Sequence, residues 1–214
     1  MRRMLDINNP VMKILTGIFD LMMLSVLWAV FSLPVLTMGA ASAAMYKTAY
    51  SYVRKGEEYL WKTFWAAFKS NLKRSTLAWL VVLAVLGLLV LDAAVFRGML
   101  IRKEAFGWVY YVVLVLTVLA LTWTVYLSAY SARFNGTVRE VLHFSFLLFR
   151  LHPLKTLLVA GEVLVGILTA LSFPALLILI PAAVYWGASF PIEWVFLQHL
   201  QPADRERMEK ENES

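Results

Sequence analysis

The apolar residues of this chain fall in long, nearly charge-free blocks, not in a two-residue or 3.6-residue rhythm. Strands and amphipathic helices of a soluble core need one of those rhythms, because each buries only one side. Continuous blocks call for an apolar environment all round, so several helices in lipid are expected. Composition agrees: 61% of the 214 residues are hydrophobic and 16% charged, with a mean hydropathy of +0.70. A soluble domain is nearer about 45–50% apolar. With no cysteine, disulfides, thiolate metal sites and cysteine nucleophiles are excluded. His143, His152 and His199 lack metal-ligand spacing. No cofactor or metal is expected.

Six segments can cross a bilayer: residues 14–33, 36–53, 76–96, 107–130, 155–173 and 175–200. Arg2 and Arg3 resemble the start of a secretory signal, but the apolar stretch that follows is too long for one, and cleavage is not expected. The fold class is therefore an all-α integral membrane bundle of about six helices over residues 1–202, followed by a short charged tail at 203–214. With both ends in the cytoplasm, the inner pieces hold Arg2, Arg3, Lys13, Arg54, Lys55, Lys62, Lys69, Lys73 and Arg74. Further inner charges are Arg133, Arg139, Arg150, Lys155, Arg205, Arg207 and Lys210. Only Arg97, Arg102 and Lys103 fall outside, which satisfies the positive-inside rule. The rival count is five, with 36–53 not crossing and the N-terminus outside.

Two further segments read as helices in the headgroup plane on the cytoplasmic side. In the stretch 57–74, Leu60, Trp61, Phe64, Trp65, Phe68 and Leu72 recur at helical spacing, with the lysines largely on the other side. The alternative is a helix packed on its own bundle. The second starts at Thr137, where Thr-Val-Arg-Glu forms a capping-box pattern, and ends near His152-Pro153. The positive balance of +6 follows membrane sidedness, so nucleic acid is not an expected partner; the lipid bilayer is.

An ionisable group inside a span is costly and marks a functional candidate. Asp20, Lys47, Glu162 and Glu193 qualify, and on the six-crossing count they share a layer about six to eight residues, roughly 9–12 Å, from the cytoplasmic ends. A polar cluster centred on Lys47 is expected. Its role is structural or that of a ligand or proton site. Thr117, Thr124, Ser128 and Ser131 form a hydroxyl seam suited to helix contacts in lipid. No nucleophile elbow, phosphate loop, dinucleotide fingerprint or zinc-binding pair is present, so an enzyme is not expected. Between the first two spans, Pro34 ends a helix, Gly39 permits a reversal, and the following alanines allow close approach.

The run Ser32-Leu33-Pro34-Val35-Leu36-Thr37-Met38-Gly39-Ala40-Ala41-Ser42-Ala43-Ala44-Met45-Tyr46 resembles the YesL-like family of bacterial multi-pass membrane proteins. The blocks at 54–58 and 64–71 resemble its continuation. Asp20 matches an acidic position of that family, whereas Ser25 stands where an Asn is expected. The resemblance implies a bacterial cytoplasmic-membrane protein of unassigned activity, associated with carbohydrate uptake. The leading expectation is a non-enzymatic accessory or regulatory protein acting beside a carbohydrate permease or membrane sensor. The alternative is a small solute transporter or channel.

Overall fold

The structure is a computed structural model and describes residues 10–54 and 60–199. Within them the chain is all-helical. The helices are α1 (Pro10–Phe31), α2 (Met38–Thr48), α3 (Leu60–Ile101), α4 (Val109–Arg133), α5 (Val138–Leu151), α6 (Pro153–Ser172) and α7 (Ile180–His199). Single 3-10 turns precede α2 (Val35–Thr37) and α7 (Pro174–Ile178), and a π turn, Ala49–Arg54, follows α2. Residues 57–59 of the stretch expected as a surface helix and the tail from 203 onward lie outside the described residues. Three helices, α3, α4 and α6, are long and apolar enough to cross a membrane, which points to a membrane protein.

The largest departure from expectation is α3. The separate surface helix expected at 57–74 and the span expected from 76 are one helix of 42 residues, about 63 Å long and twice the hydrocarbon thickness of a bilayer. Nothing between Arg74 and Thr76 supplies a proline, glycine or cap that would stop the hydrogen-bond ladder. Its buried residues, Phe64, Ala67, Phe68, Asn71, Ser75, Ala78, Trp79 and Val82, form one stripe running through the expected boundary. The aromatic face meant for headgroups is turned largely onto the chain itself. Phe31 of α1 sits 6.0 Å from Trp61, 5.6 Å from Phe64, 5.5 Å from Trp65 and 4.9 Å from Phe68 between ring centres. Phe64 and Phe68 are buried there, while Trp61 stays exposed.

The turn at Pro34, Thr37 and Gly39 also differs. The Thr37 hydroxyl donates to the Phe31 and Pro34 carbonyls at 2.7 and 2.9 Å, tying the turn to the end of α1. Gly39 adopts no left-handed conformation; it allows α2 to touch α3. A methyl group there would lie 2.5 Å from the Ser75 carbonyl oxygen and 2.5 Å from Trp79 Cβ. Trp79 Nε1 donates to the Val35 carbonyl at 2.9 Å, closing the same contact. On the six-crossing count this turn and Ser75 belong to opposite membrane faces, about 30 Å apart. Here they touch. The two placements cannot both hold, because a contact at this distance leaves no room for a bilayer.

The other elements fall into place around α2 and α4. Residues Gly39 to Tyr46 of α2 are all buried, against α3, α4 and α7. α5 begins with the expected capping box at Thr137 and Glu140. It lies across α4 through a Trp123 Nε1 hydrogen bond to Ser145 Oγ at 3.1 Å and an edge contact between Tyr126 and Phe149. α6 pairs with α7 where Gly166 faces Val184 and Ile180.

Candidate functional site

The inner layer of polar groups is built where α2, α4 and α7 meet. Glu193 of α7 is buried at 3% exposure. Its Oε1 accepts from the Tyr46 hydroxyl of α2 at 3.0 Å and faces Arg133 Nε of α4 at 3.3 Å. The Arg133 guanidinium lies 4.6 Å over the Tyr50 ring. Each helix brings one part for a local reason. Arg133 ends α4, where a cation suits the helix dipole. Tyr46 follows a run of alanines that brings α2 close enough for its hydroxyl to reach α7. Guanidinium and carboxylate cancel each other's charge in a setting where either alone would be expensive.

Hydroxyls staple the surrounding helices. Ser128 Oγ of α4 meets the Tyr185 hydroxyl of α7 at 3.3 Å. Ser25 of α1 accepts from the Ala182 amide at 3.1 Å and donates to the Leu179 carbonyl at 3.4 Å. Trp28 Nε1 donates to Ser42 Oγ at 3.0 Å. Arg74 of α3 donates to Asn71 Oδ1 and to the Ser131 carbonyl, both at 2.6 Å. Of the expected hydroxyl seam, Ser128 reaches another helix, whereas Thr117 and Thr124 donate to carbonyls of α4 itself.

Among the described residues Lys47 forms no ion pair with Asp20, Glu162 or Glu193. Lys47 lies half-buried in the last turn of α2 and makes no ion pair among the described residues. Glu193 is paired with Arg133 instead. Asp20 is half-buried on α1 and has a partner of its own. Glu162 of α6 lies apart, its carboxyl 3.2 Å from where a side chain on Gly187 would start, and its Oε2 is buried without a hydrogen-bond partner. Pro191 stands four residues after Gly187 within α7 and has no N–H to give, so the Gly187 carbonyl also loses its helical donor.

Arg133 and Tyr46 are not marked by the sequence as parts of this layer. Arg133 reads as a sidedness marker at the end of a span, and Tyr46 as the end of the alanine-rich run. The available signal was the final-turn position of Arg133 at the depth of Glu193, the same layer argument that selected the acids. Among the described residues no cluster of His, Asp and Glu could hold a metal.

The family described as "Protein of unknown function, DUF624" matches residues 21–93, from the middle of α1 through α2 into the apolar half of α3. Its matched region holds the Phe31 cluster, the 34–39 turn and Tyr46, but neither Arg133 nor Glu193. No curated protein and no solved structure matches the chain.

Proposed function

We propose that this chain is a non-enzymatic accessory or regulatory membrane protein that acts by holding a surface for a partner. The reading is supported by the closure of the inner polar layer: Glu193, Tyr46 and Arg133 engage one another across three helices. Two donors already engage Oε1 of Glu193, which favours a structural role for this carboxylate. The expected partner, a carbohydrate permease or membrane sensor of the bacterial cytoplasmic membrane, follows from the YesL-like resemblance at residues 32–46.

The test combines two measurements. Crosslinking in native membranes should recover a carbohydrate permease or sensor in fixed ratio with the chain, while purified protein in proteoliposomes should move no sugar. Flux by the purified protein, with no permease recovered, rejects the proposal. The second reading, a small transporter, is favoured by one observation, the Glu162 carboxyl oxygen without a partner beside Gly187. It predicts flux that Glu162→Gln abolishes while the protein stays folded.

A further inference from the structure

We infer that the chain crosses the membrane five times and that α2 is a buried helix that does not cross, with the N-terminal end on the side opposite residues 60–75. The inference concerns topology and stands apart from the proposed function. It begins with α3 and α4. Arg74 bonds the Ser131 carbonyl, so Arg74 and Arg133 share one level, and Ala78, Trp79, Val82 and Leu127 cluster just beyond it. From Ser75 to Leu91, α3 carries no charge; Lys62, Lys69, Lys73 and Arg74 precede that stretch. The uncharged stretch is therefore the part in lipid, and the basic part is its inner end. Arg97, Arg102 and Lys103 mark the outer end.

The direction of the other helices follows from paired contacts. Ser128 meets Tyr185 and Arg133 meets Glu193, so α7 runs inward alongside α4. Ser25 of α1 is bonded at the start of α7, its outward end, while Phe31 is surrounded by Trp61, Phe64, Trp65 and Phe68 of the inner part of α3. Passing from Ser25 to Phe31 is thus a passage inward, and α1 runs in the same sense as α4 and α7. A hairpin in which α1 ran outward would put Phe31 a bilayer away from Trp61.

α2 then has no membrane left to cross. It starts with Gly39 against Ser75 and Trp79 and leads on to Tyr46 and Tyr50, which meet Glu193 and Arg133. Its 11 residues and the six of the π turn that continue it rise about 25 Å, short of the hydrocarbon thickness. The crossings are α1, α3, α4, α6 and α7. Lys47, in the last turn of α2, comes to lie at the inner face, where an ammonium without an ion pair can be hydrated. α1 then starts on the outer side, while Lys62, Lys69, Lys73, Arg74, Arg133, Arg139, Arg150 and Lys155 remain inside.

Because the chain has no cysteine, single cysteines report sidedness without background. Asn8→Cys, Leu36→Cys, Lys62→Cys and Arg102→Cys would be treated, in intact cells and in inverted vesicles, with a maleimide that cannot pass the membrane. Asn8→Cys and Arg102→Cys should react in cells, and Lys62→Cys in inverted vesicles only. Leu36→Cys should not react in cells. Labelling of Asn8→Cys on the same side as Lys62→Cys, or of Leu36→Cys in cells, overturns the inference. Should a cysteine variant misfold, a protease-cleavable N-terminal tag on the unaltered chain decides the same point: cleavage only from outside supports the inference, and cleavage only from inside overturns it.

Discussion

The α2 seam and the outer half of the α3–α4 hairpin are equally helical and oppositely packed. Along α2, everything from Gly39 to Tyr46 is buried, with small residues on most positions. Along α3, nothing beyond Val82 is buried, and Leu88, Val90, Leu91 and Val95 stand more than half exposed. The difference teaches what replaces the hydrophobic effect inside a membrane. Lipid tails reward apolar surface without pressing helices together, so association depends on close approach and polar contacts. Where glycine, alanine and serine permit that approach, a core forms. Where leucine and valine cover the helix all round, lipid serves as solvent.

Substitutions along these two regions sharpen the contrast, and removing a partner from the inner ion pair should have the largest effect. Arg133→Met leaves Glu193 buried without its cation, and a loss of about 3–5 kcal/mol is expected for such a change; thermal unfolding in detergent reads it. The double variant Arg133→Met with Glu193→Met should recover much of that loss, because no lone charge remains. Next comes Gly39→Ala, whose added methyl meets backbone at Ser75. About 1–3 kcal/mol is expected from such overpacking, with fluorescence of Trp79 altered as the helices part. Thr137→Ala removes the α5 cap and should cost about 1 kcal/mol. Leu88→Ala, on the outer hairpin, should change stability by less than about 0.5 kcal/mol. A loss from Leu88→Ala as large as that from Gly39→Ala would erase the contrast and reveal a protein contact on the outer hairpin.

Glu162→Gln tests whether this half-buried position of α6 requires a carboxylate. The amide keeps the shape and places no charge where the Glu162 Oε2 is buried without a hydrogen-bond partner. Stability equal to or above that of the parent chain is expected in a melting experiment, whereas a marked loss would mean that the ionised carboxylate is required.

Much of this was legible in the chain itself, for identifiable reasons. The Thr137–Glu140 cap is local, requiring only residues three apart, and the structure contains it. The ends of α4 and α6 lie near turn or proline signals at Gly107 and Pro153. The boundary between Arg74 and Thr76 was less readable, because a change from amphipathic to apolar composition does not break a backbone ladder. The partner of Glu193 was hidden for a different reason. Arg133 is 60 positions earlier in the chain, and only the packing of α4 against α7 decides that it, rather than Lys47, meets the acid.

What the sequence determined alone was the solvent and the secondary structure. Uncharged apolar blocks as long as a bilayer crossing have no stable place in water, and a helix satisfies their backbone within each block in lipid. Tertiary structure decided which ends of those helices lie level, since apolar patterning is nearly the same whether a helix runs inward or outward. Specific contacts, Phe31 on the start of α3 and Gly39 on Ser75, carry that information.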